Sequence, residues 1–119
     1  MVKSGGTVIL NAPCHEGVGP HPEYLELMGR KPDHILNDVR TGLLEDKNVA
    51  GSAWQIAWML EHIDLSIVSA GLTAEEFGSG PITFFPCLQD AVDALLAKFG
   101  PDCKVGVITH GSYAYPIRV

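Results

Sequence analysis

The sequence has 119 residues, of which 46% are hydrophobic and 18% charged, and eight basic against fourteen acidic residues give a formal net charge of −6. This length and composition predict a single folded domain over residues 1–119, and the acidic balance argues against a nucleic-acid partner, which would need clustered basic side chains. The apolar runs are too short for a membrane span and the three cysteines have no paired spacing, so we expect a cytoplasmic protein without disulfides.

The first half of the chain predicts a strand, a loop and three helices. Thr7–Ala12 is an apolar run rich in β-branched residues, which is typical of a buried strand, and the glycines and prolines of 13–22 indicate a loop. One helix is expected over Pro22–Gly29 and a second over Pro32–Leu43. The third and most regular helix is predicted over Ser52–Ile63, with its first residue as the N-cap.

The second half continues the alternation of strands and helices. Strands are predicted at Leu65–Ser69, Pro81–Phe85 and Lys104–Thr109, a capping box at Thr73–Glu76 predicts a short helix, and Leu88–Phe99 forms an amphipathic helix. This order predicts an α/β fold with three layers, in which a mostly parallel sheet of about four strands carries helices on both faces in a Rossmann-like arrangement.

The loop after the first predicted strand contains the sequence Gly17-Val-Gly19 shortly before a helix start. Backbone amides in this order can hold an anion, and ligands of open α/β sheets bind at the carboxyl ends of the strands. The dinucleotide-binding fingerprint is incomplete, because His21 and Pro22 stand where its third glycine would be needed. Gly17 and Gly19 are therefore candidate contacts for a substrate or an anion, and a plain glycine turn is the alternative.

Cysteine and histidine side chains also cluster in this loop, at Cys14, His15 and His21, and His110 follows the last predicted strand. Adjacent cysteine and histidine side chains cannot easily bind one metal ion, and the sequence has no CxxC or HxxxH motif elsewhere. Glu16 does not provide the electropositive environment of a catalytic thiolate. We therefore predict no metal ligand and no catalytic residue in this chain, and a self-sufficient Cys-His enzyme is the third of three hypotheses.

The third predicted helix has an unusual face opposite its core. Its apolar stripe consists of Ala53, Ile56, Ala57, Leu60 and Ile63. Gln55, Trp58 and His62 lie opposite this stripe on a helical wheel, and Trp54 and Met59 lie at its margins. Aromatic residues and methionine are favoured in interfaces, so this face predicts an interaction surface. The alternative is that the domain covers both faces of the helix by itself, for which a chain of this size seldom has enough residues.

Several segments of the sequence together resemble a known family. These segments are Gly5–Gly19 with the following His-Pro-Glu23, Trp54-Gln55, Ile67–Ser69, Asp90–Leu95 and Val105–Gly111. Spread over nearly the whole chain, they resemble the C-terminal domain of the nickel-dependent lactate racemase family.

The resemblance implies a reaction and a division of labour between domains. Family members racemise or epimerise 2-hydroxy acids by removing hydride from C2 and returning it to the opposite face, with a nickel-pincer nucleotide tethered to a lysine. The nickel-binding and proton-transferring histidines belong to a larger N-terminal catalytic domain, which is absent from this sequence. The chain alone is therefore expected to bind no cofactor and to be inactive, and to work with that domain in the same or a separate chain.

The resemblance also implies substrate-binding residues. Gln55 matches a glutamine that contacts the substrate, Trp54 and Trp58 would form walls of the pocket, and the loop from Gly17 to Gly19 would approach it. The lactate enzymes of the family carry a lysine where this sequence has Trp58, so the carboxylate of lactate would lose a charged partner. A larger or less polar 2-hydroxy acid is therefore expected as the substrate.

A second hypothesis comes from another functional class. A freestanding small α/β module could bind an anion or small molecule at the loop after the first strand, and it would show ligand affinity as an isolated chain. The first hypothesis predicts little affinity in the isolated chain. An exposed interdomain face could also support a homodimer.

Overall fold

A parallel three-stranded sheet organises the fold. The computed structural model describes residues 2–21, 23–78, 80–111 and 113. The elements in chain order are β1 (Thr7–Asn11), α1 (Glu23–Met28), α2 (Pro32–Thr41), α3 (Lys47–Leu60), β2 (Asp64–Val68), α4 (Ala74–Phe77), β3 (Thr83–Phe85) and α5 (Leu88–Phe99). The strand order is β1-β2-β3, which confirms the predicted α/β class. None of the described helices is both long enough and apolar enough to cross a membrane.

The register of the sheet makes β2 its central strand. Thr7 of β1 lies opposite Asp64, and Ser66 lies opposite Thr83 of β3. Both pairs are parallel, so each needs a crossover connection. Helices α1 to α3 provide the first crossover and α4 provides the second. The carboxyl ends of all three strands therefore lie at the same edge of the sheet.

The main core lies between one face of the sheet and helices α1 to α4. Ala50, Ala53 and Ala57 of α3 are almost completely buried, and their small side chains let this helix approach its neighbours closely. Phe77 of α4 stacks on Phe84 of β3, with 5.7 Å between ring centroids. The buried members of this core are Leu27, Met28, Ile35, Ala50, Ala53, Ala57, Leu65, Leu72, Phe77 and Ile82.

Helix α5 covers the other face of the sheet. It contacts all three strands, and its residue Ala91 is fully buried. Val68 is buried as well, but neither residue belongs to the main core. Because side chains alternate along a strand, Val68 lies on the face opposite Leu65, which does belong to it. Helices thus lie on both faces of the sheet, as expected.

The start of α3 differs from the prediction. The helix begins at Lys47, before the predicted N-cap Ser52, which lies within it. The carboxylate of Asp46 accepts hydrogen bonds from the backbone amides of Asn48 (2.9 Å) and Val49 (3.0 Å). This side-chain cap satisfies amides that would otherwise lack a partner, and it outweighs the low helix propensity of Gly51.

The capping box of α4 is confirmed. The backbone amide of Thr73 donates a hydrogen bond to Glu76 Oε2 (2.7 Å), and the amide of Glu76 donates one to Thr73 Oγ1 (3.4 Å). The flanking residues Leu72 and Phe77 are both buried, as expected for a hydrophobic staple. A helix of only four residues is thus fixed at its start by two side-chain hydrogen bonds and an apolar contact.

The predicted fourth strand at Lys104–Thr109 is not confirmed. Residues 103–108 have no regular secondary structure, and the side chains of Val105 and Val107 are 70% and 81% exposed. Over the described part of the chain the sheet has three strands, so a sheet of four strands and a Rossmann-like arrangement are not confirmed either.

Candidate functional site

The loop after β1 is held against the chain that follows β2. Ser69 is buried, and its hydroxyl donates a hydrogen bond to the carbonyl oxygen of Pro13 (3.1 Å) and accepts one from the amide of Gly71 (3.1 Å). A Cβ atom on Gly71 would lie 2.5 Å from the Pro13 carbonyl oxygen and even closer to that of Cys14. The loop is therefore fixed at the carboxyl edge of the sheet, where ligands of α/β proteins bind.

The backbone conformation explains both glycines of this loop. Gly17 and Gly19 have φ angles of 66° and 79°, in the left-handed region that favours glycine. The amide of Gly17 donates a hydrogen bond to the Cys14 carbonyl oxygen (3.0 Å), which closes a turn. A Cβ on Gly17 would lie 3.4 Å from a carboxylate oxygen of Glu76. These features support the glycine-turn alternative more directly than an anion contact.

A cleft of about 480 Å³ opens between this loop and the first turns of α3. Its lining consists of Val18, Pro20, His21, Tyr24, Asp46, Asn48, Val49 and Ser52. His21 Nδ1 lies 3.1 Å from Glu23 Oε1 next to the cleft. The sequence-based prediction missed the contribution of Asp46 and Asn48, because it placed the start of α3 after them. An aspartate ahead of the apolar stripe was the signal that could have revealed this cap.

Asp46 brings a carboxylate into the lining of the cleft, and Glu23 lies next to the cleft, paired with His21. The hydrogen bond from the backbone amide of Val49 holds the pKa of Asp46 below its ordinary value. The pKa of Glu23 is lowered first by a hydrogen bond from the Glu23 backbone amide and second by the hydrogen bond with His21. Burial raises the pKa of Tyr24, which favours its neutral form. The amides at the start of α3 already bind Asp46. An anion would therefore meet the negative charge of Asp46 here, and two amides at the helix start already have that carboxylate as their acceptor.

The predicted exposure of the α3 face opposite its core is confirmed, and its role as an interaction surface stays a prediction. Gln55, Trp58 and His62 are all exposed, opposite the buried alanines of this helix. The side chain of Trp58 is 52% exposed, and its ring meets the His62 ring edge to face with 5.0 Å between centroids. Gln55 is three residues after Ser52 of the cleft, so the two are neighbours on the helix surface. The exposed face therefore begins with the Gln55 amide next to the cleft and continues with the two rings toward the amino edge of the sheet.

The side chain of Trp54, a residue of α3, faces α2. It lines a separate cavity of about 210 Å³ together with Ile35 and Val39 of α2. Its indole Nε1 is buried and has no hydrogen-bond partner among the described residues. The structure therefore brings Gln55 and Trp58 together on the exposed face, whereas Trp54 packs against the neighbouring helix.

The cysteine and histidine side chains of the loop do not form a metal centre. In the described ranges, no three histidine, cysteine, aspartate or glutamate side chains are grouped so that they could hold a metal ion. Cys14 is half-buried with a φ of 42°, and His15 is exposed. Among the described residues, this loop therefore offers no ligand set for the nickel of a pincer nucleotide.

The cap of α3 provides a pH-dependent test of the cleft. Replacing Asp46 with alanine is expected to lower Tm by about 5 °C at about pH 7, because two helix amides lose their acceptor. The folded-state pKa of Asp46 lies below the ordinary value of 3.8, so its contribution is present above that value and is lost as the pH falls through the folded-state pKa. Circular dichroism melting curves of the variant and wild type measure the difference.

The control for this prediction is Glu45→Ala, which removes the neighbouring carboxylate from an exposed position. This variant is expected to melt within about 1 °C of wild type at about pH 7 and at about pH 2. Equal losses for the two variants at about pH 7, or an Asp46→Ala loss that persists in full at about pH 2, would contradict the capping role.

Comparison with known proteins finds no match for this chain. No protein-family model, no curated protein sequence and no solved structure matches it.

Proposed function

We propose that this chain is the substrate-closing C-terminal domain of a nickel-pincer-dependent 2-hydroxy acid racemase- or epimerase-like protein, and that it is inactive on its own. The exposed face of α3 carries the proposal: Gln55 is a neighbour of Ser52, which lines the cleft at the carboxyl edge of the sheet, and Trp58 and His62 are exposed further along the chain, toward the amino edge. Ligand sites favour domain interfaces, and exposed aromatic residues favour contact with a partner. The resemblance of the sequence supplies the nature of the partner domain.

Gln55 and Trp58 each have a defined task in the proposal. The Gln55 amide can both donate and accept hydrogen bonds, which suits the hydroxyl and carboxylate groups of a 2-hydroxy acid. Trp58 forms an apolar wall that excludes water when the domains close. The catalytic domain, in the same or a separate chain, holds the cofactor, and no residue of this chain has an acid–base role.

The anion-binding module is the weaker hypothesis. Asp46 occupies the amides at the start of α3, and Glu23 adds a second carboxylate next to the cleft. An anionic ligand would be repelled by both groups. The racemase-like proposal avoids this conflict, because the substrate carboxylate can find its cationic partner on the catalytic domain.

The substrate of the proposed enzyme is a 2-hydroxy acid that is larger or less polar than lactate. Replacing Trp58 with lysine should raise the ratio of kcat/KM for lactate to that for a 2-hydroxy acid with a bulky apolar side chain. The carboxylate is common to both substrates, but the apolar wall contacts only the bulky side chain. Losing that contact costs the bulky substrate about 1.5–3 kcal/mol, so we expect a change of roughly 10- to 100-fold. Interconversion of enantiomers by the protein together with its catalytic domain is measured by chiral chromatography.

The matched control is Trp58→Phe, which keeps an apolar ring and should preserve the preference for the bulky substrate. Lactate as the best substrate of the wild-type enzyme would contradict the role of Trp58. No interconversion of any 2-hydroxy acid would contradict the proposed function itself.

The proposal also includes a fourth strand of the sheet. We propose that Lys104–Thr109 is a fourth strand, which would make the sheet Rossmann-like. The β-branched residues Val105, Val107 and Ile108 support this proposal, because such residues favour strands and are exposed where they now lie.

A further inference from the structure

We infer that Lys104–Thr109 binds along the outer edge of β1, parallel to it and within the same chain. The inference rests on the proposal that this segment is a strand, and it adds the position of that strand. The resulting order would be the new strand, β1, β2 and β3. The alternative position, beside the outer edge of β3, follows the order of the chain but conflicts with the handedness of the connections.

The two crossovers already present fix the direction in which connections on each face move the chain. Ala53 of α3 and Phe77 of α4 belong to the same core, so both connections lie on one face of the sheet. Crossovers between parallel strands are almost always right-handed. On this face, right-handed connections move the chain from β1 to β2 and then to β3.

Helix α5 lies on the opposite face, so a right-handed connection there moves the chain in the opposite direction. A strand that follows α5 is therefore carried away from β3 and back across β2 and β1. Its first free position is the outer edge of β1, which pairs only with β2 among the described residues. The direction of the connection excludes the outer edge of β3.

The path of α5 agrees with this direction. The helix starts soon after β3, at the carboxyl edge of the sheet, and contacts all three strands. Near its end, Lys98 Nζ lies 2.5 Å from Asp64 Oδ2, and Asp64 is the β2 residue opposite Thr7 of β1. The chain therefore leaves α5 at the amino edge of the sheet, close to the start of β1, where a parallel fourth strand has to begin.

The segment and the outer edge of β1 both have backbone groups without a partner strand among the described residues. Over the described residues, no backbone hydrogen bond involves 104–108. Leu10 of β1 is 51% exposed, and Leu96 and Phe99 in the last turns of α5 are also exposed. A strand beside β1 would cover apolar side chains on both faces of the sheet and supply partners for the edge of β1.

This position has a consequence for the functional site. The carboxyl ends of β1 and the new strand would border a crevice at the edge of the sheet where α/β proteins bind ligands. The loop from Pro13 to Gly19 borders this crevice on one side. His110, directly after the segment, would border it on the other side and become a polar side chain of the site.

Nuclear magnetic resonance on the isotopically labelled 119-residue chain tests the inference. We expect backbone nuclear Overhauser effects between 105–108 and Val8–Leu10, and amide exchange in 105–108 slowed roughly 100-fold relative to an unstructured peptide. The amides of β2 serve as the internal reference for a protected strand. Contacts of 105–108 with Thr83–Phe85, or exchange as fast as in an unstructured peptide, would overturn the inference.

A sample of mixed labelled and unlabelled chains separates pairing within the chain from exchange between two copies. Contacts found only between different molecules would overturn the inference that the strand binds its own β1. The readout does not depend on activity, so failure of the strand placement and failure of the racemase-like function are separate results.

Discussion

Replacing Gly71 with alanine is expected to destabilise the protein by about 3 kcal/mol. The new Cβ would lie 2.5 Å from the carbonyl oxygen of Pro13 and closer still to that of Cys14. Both are backbone atoms, so no flexible side chain can move aside. Ser69 also ties this backbone to the loop through hydrogen bonds to Pro13 and Gly71, so any shift would break them. Equilibrium unfolding in urea measures the loss.

The control for this prediction is the same substitution at Gly51 on the exposed side of α3, where a Cβ would meet nothing within 4 Å. Alanine is a better helix former than glycine, so Gly51→Ala should stabilise the protein by about 0.5–1 kcal/mol. A Gly71→Ala variant with a stability within about 0.5 kcal/mol of wild type would contradict the close packing of the loop.

Replacing Gln55 with alanine is expected to lower kcat/KM for the 2-hydroxy acid roughly 100-fold in the protein with its catalytic domain. The loss follows from the proposal that the Gln55 amide positions the substrate. The side chain is exposed in this domain, so its removal should leave the free energy of unfolding almost unchanged. Chiral chromatography and urea unfolding measure the two quantities on the same preparation.

Gln89→Ala is the matched control, since Gln89 is an exposed glutamine on α5 that bonds only to Asp93 among the described residues. This variant should retain wild-type kcat/KM. A Gln55→Ala variant that also retains it would contradict the substrate contact. An equal loss in both variants would show that the effect does not come from the α3 face.

Local patterns predicted much of the fold because the interactions behind them are local. The capping box at Thr73 and Glu76 involves residues three apart, and the structure contains both of its hydrogen bonds. The opposite faces of α3 follow from the helical period, and Gln55 and Trp58 are exposed as the period requires. The parallel sheet follows from the alternation of strands and helices.

Long-range contacts determined what the patterns could not predict. A helical wheel places Trp54 at the margin of the stripe, but only the packing of α2 decides that this side chain faces a cavity that Ile35 and Val39 also line. The β-branched residues of Lys104–Thr109 predict a strand, yet strand formation also needs a neighbouring strand in reach. The cleft was missed because its walls come from a loop and a helix start that are distant in sequence.

The most direct test of the proposed function is an assay of the protein as its natural source produces it, purified with any chain or domain attached to it. Single enantiomers of several 2-hydroxy acids are incubated with this preparation, and chiral chromatography measures the appearance of the opposite enantiomer. The proposal predicts a catalytic domain in the preparation and interconversion of at least one substrate. A preparation that contains this domain alone, interconverts none of the acids and still binds a small anion would contradict the proposal and favour the freestanding module.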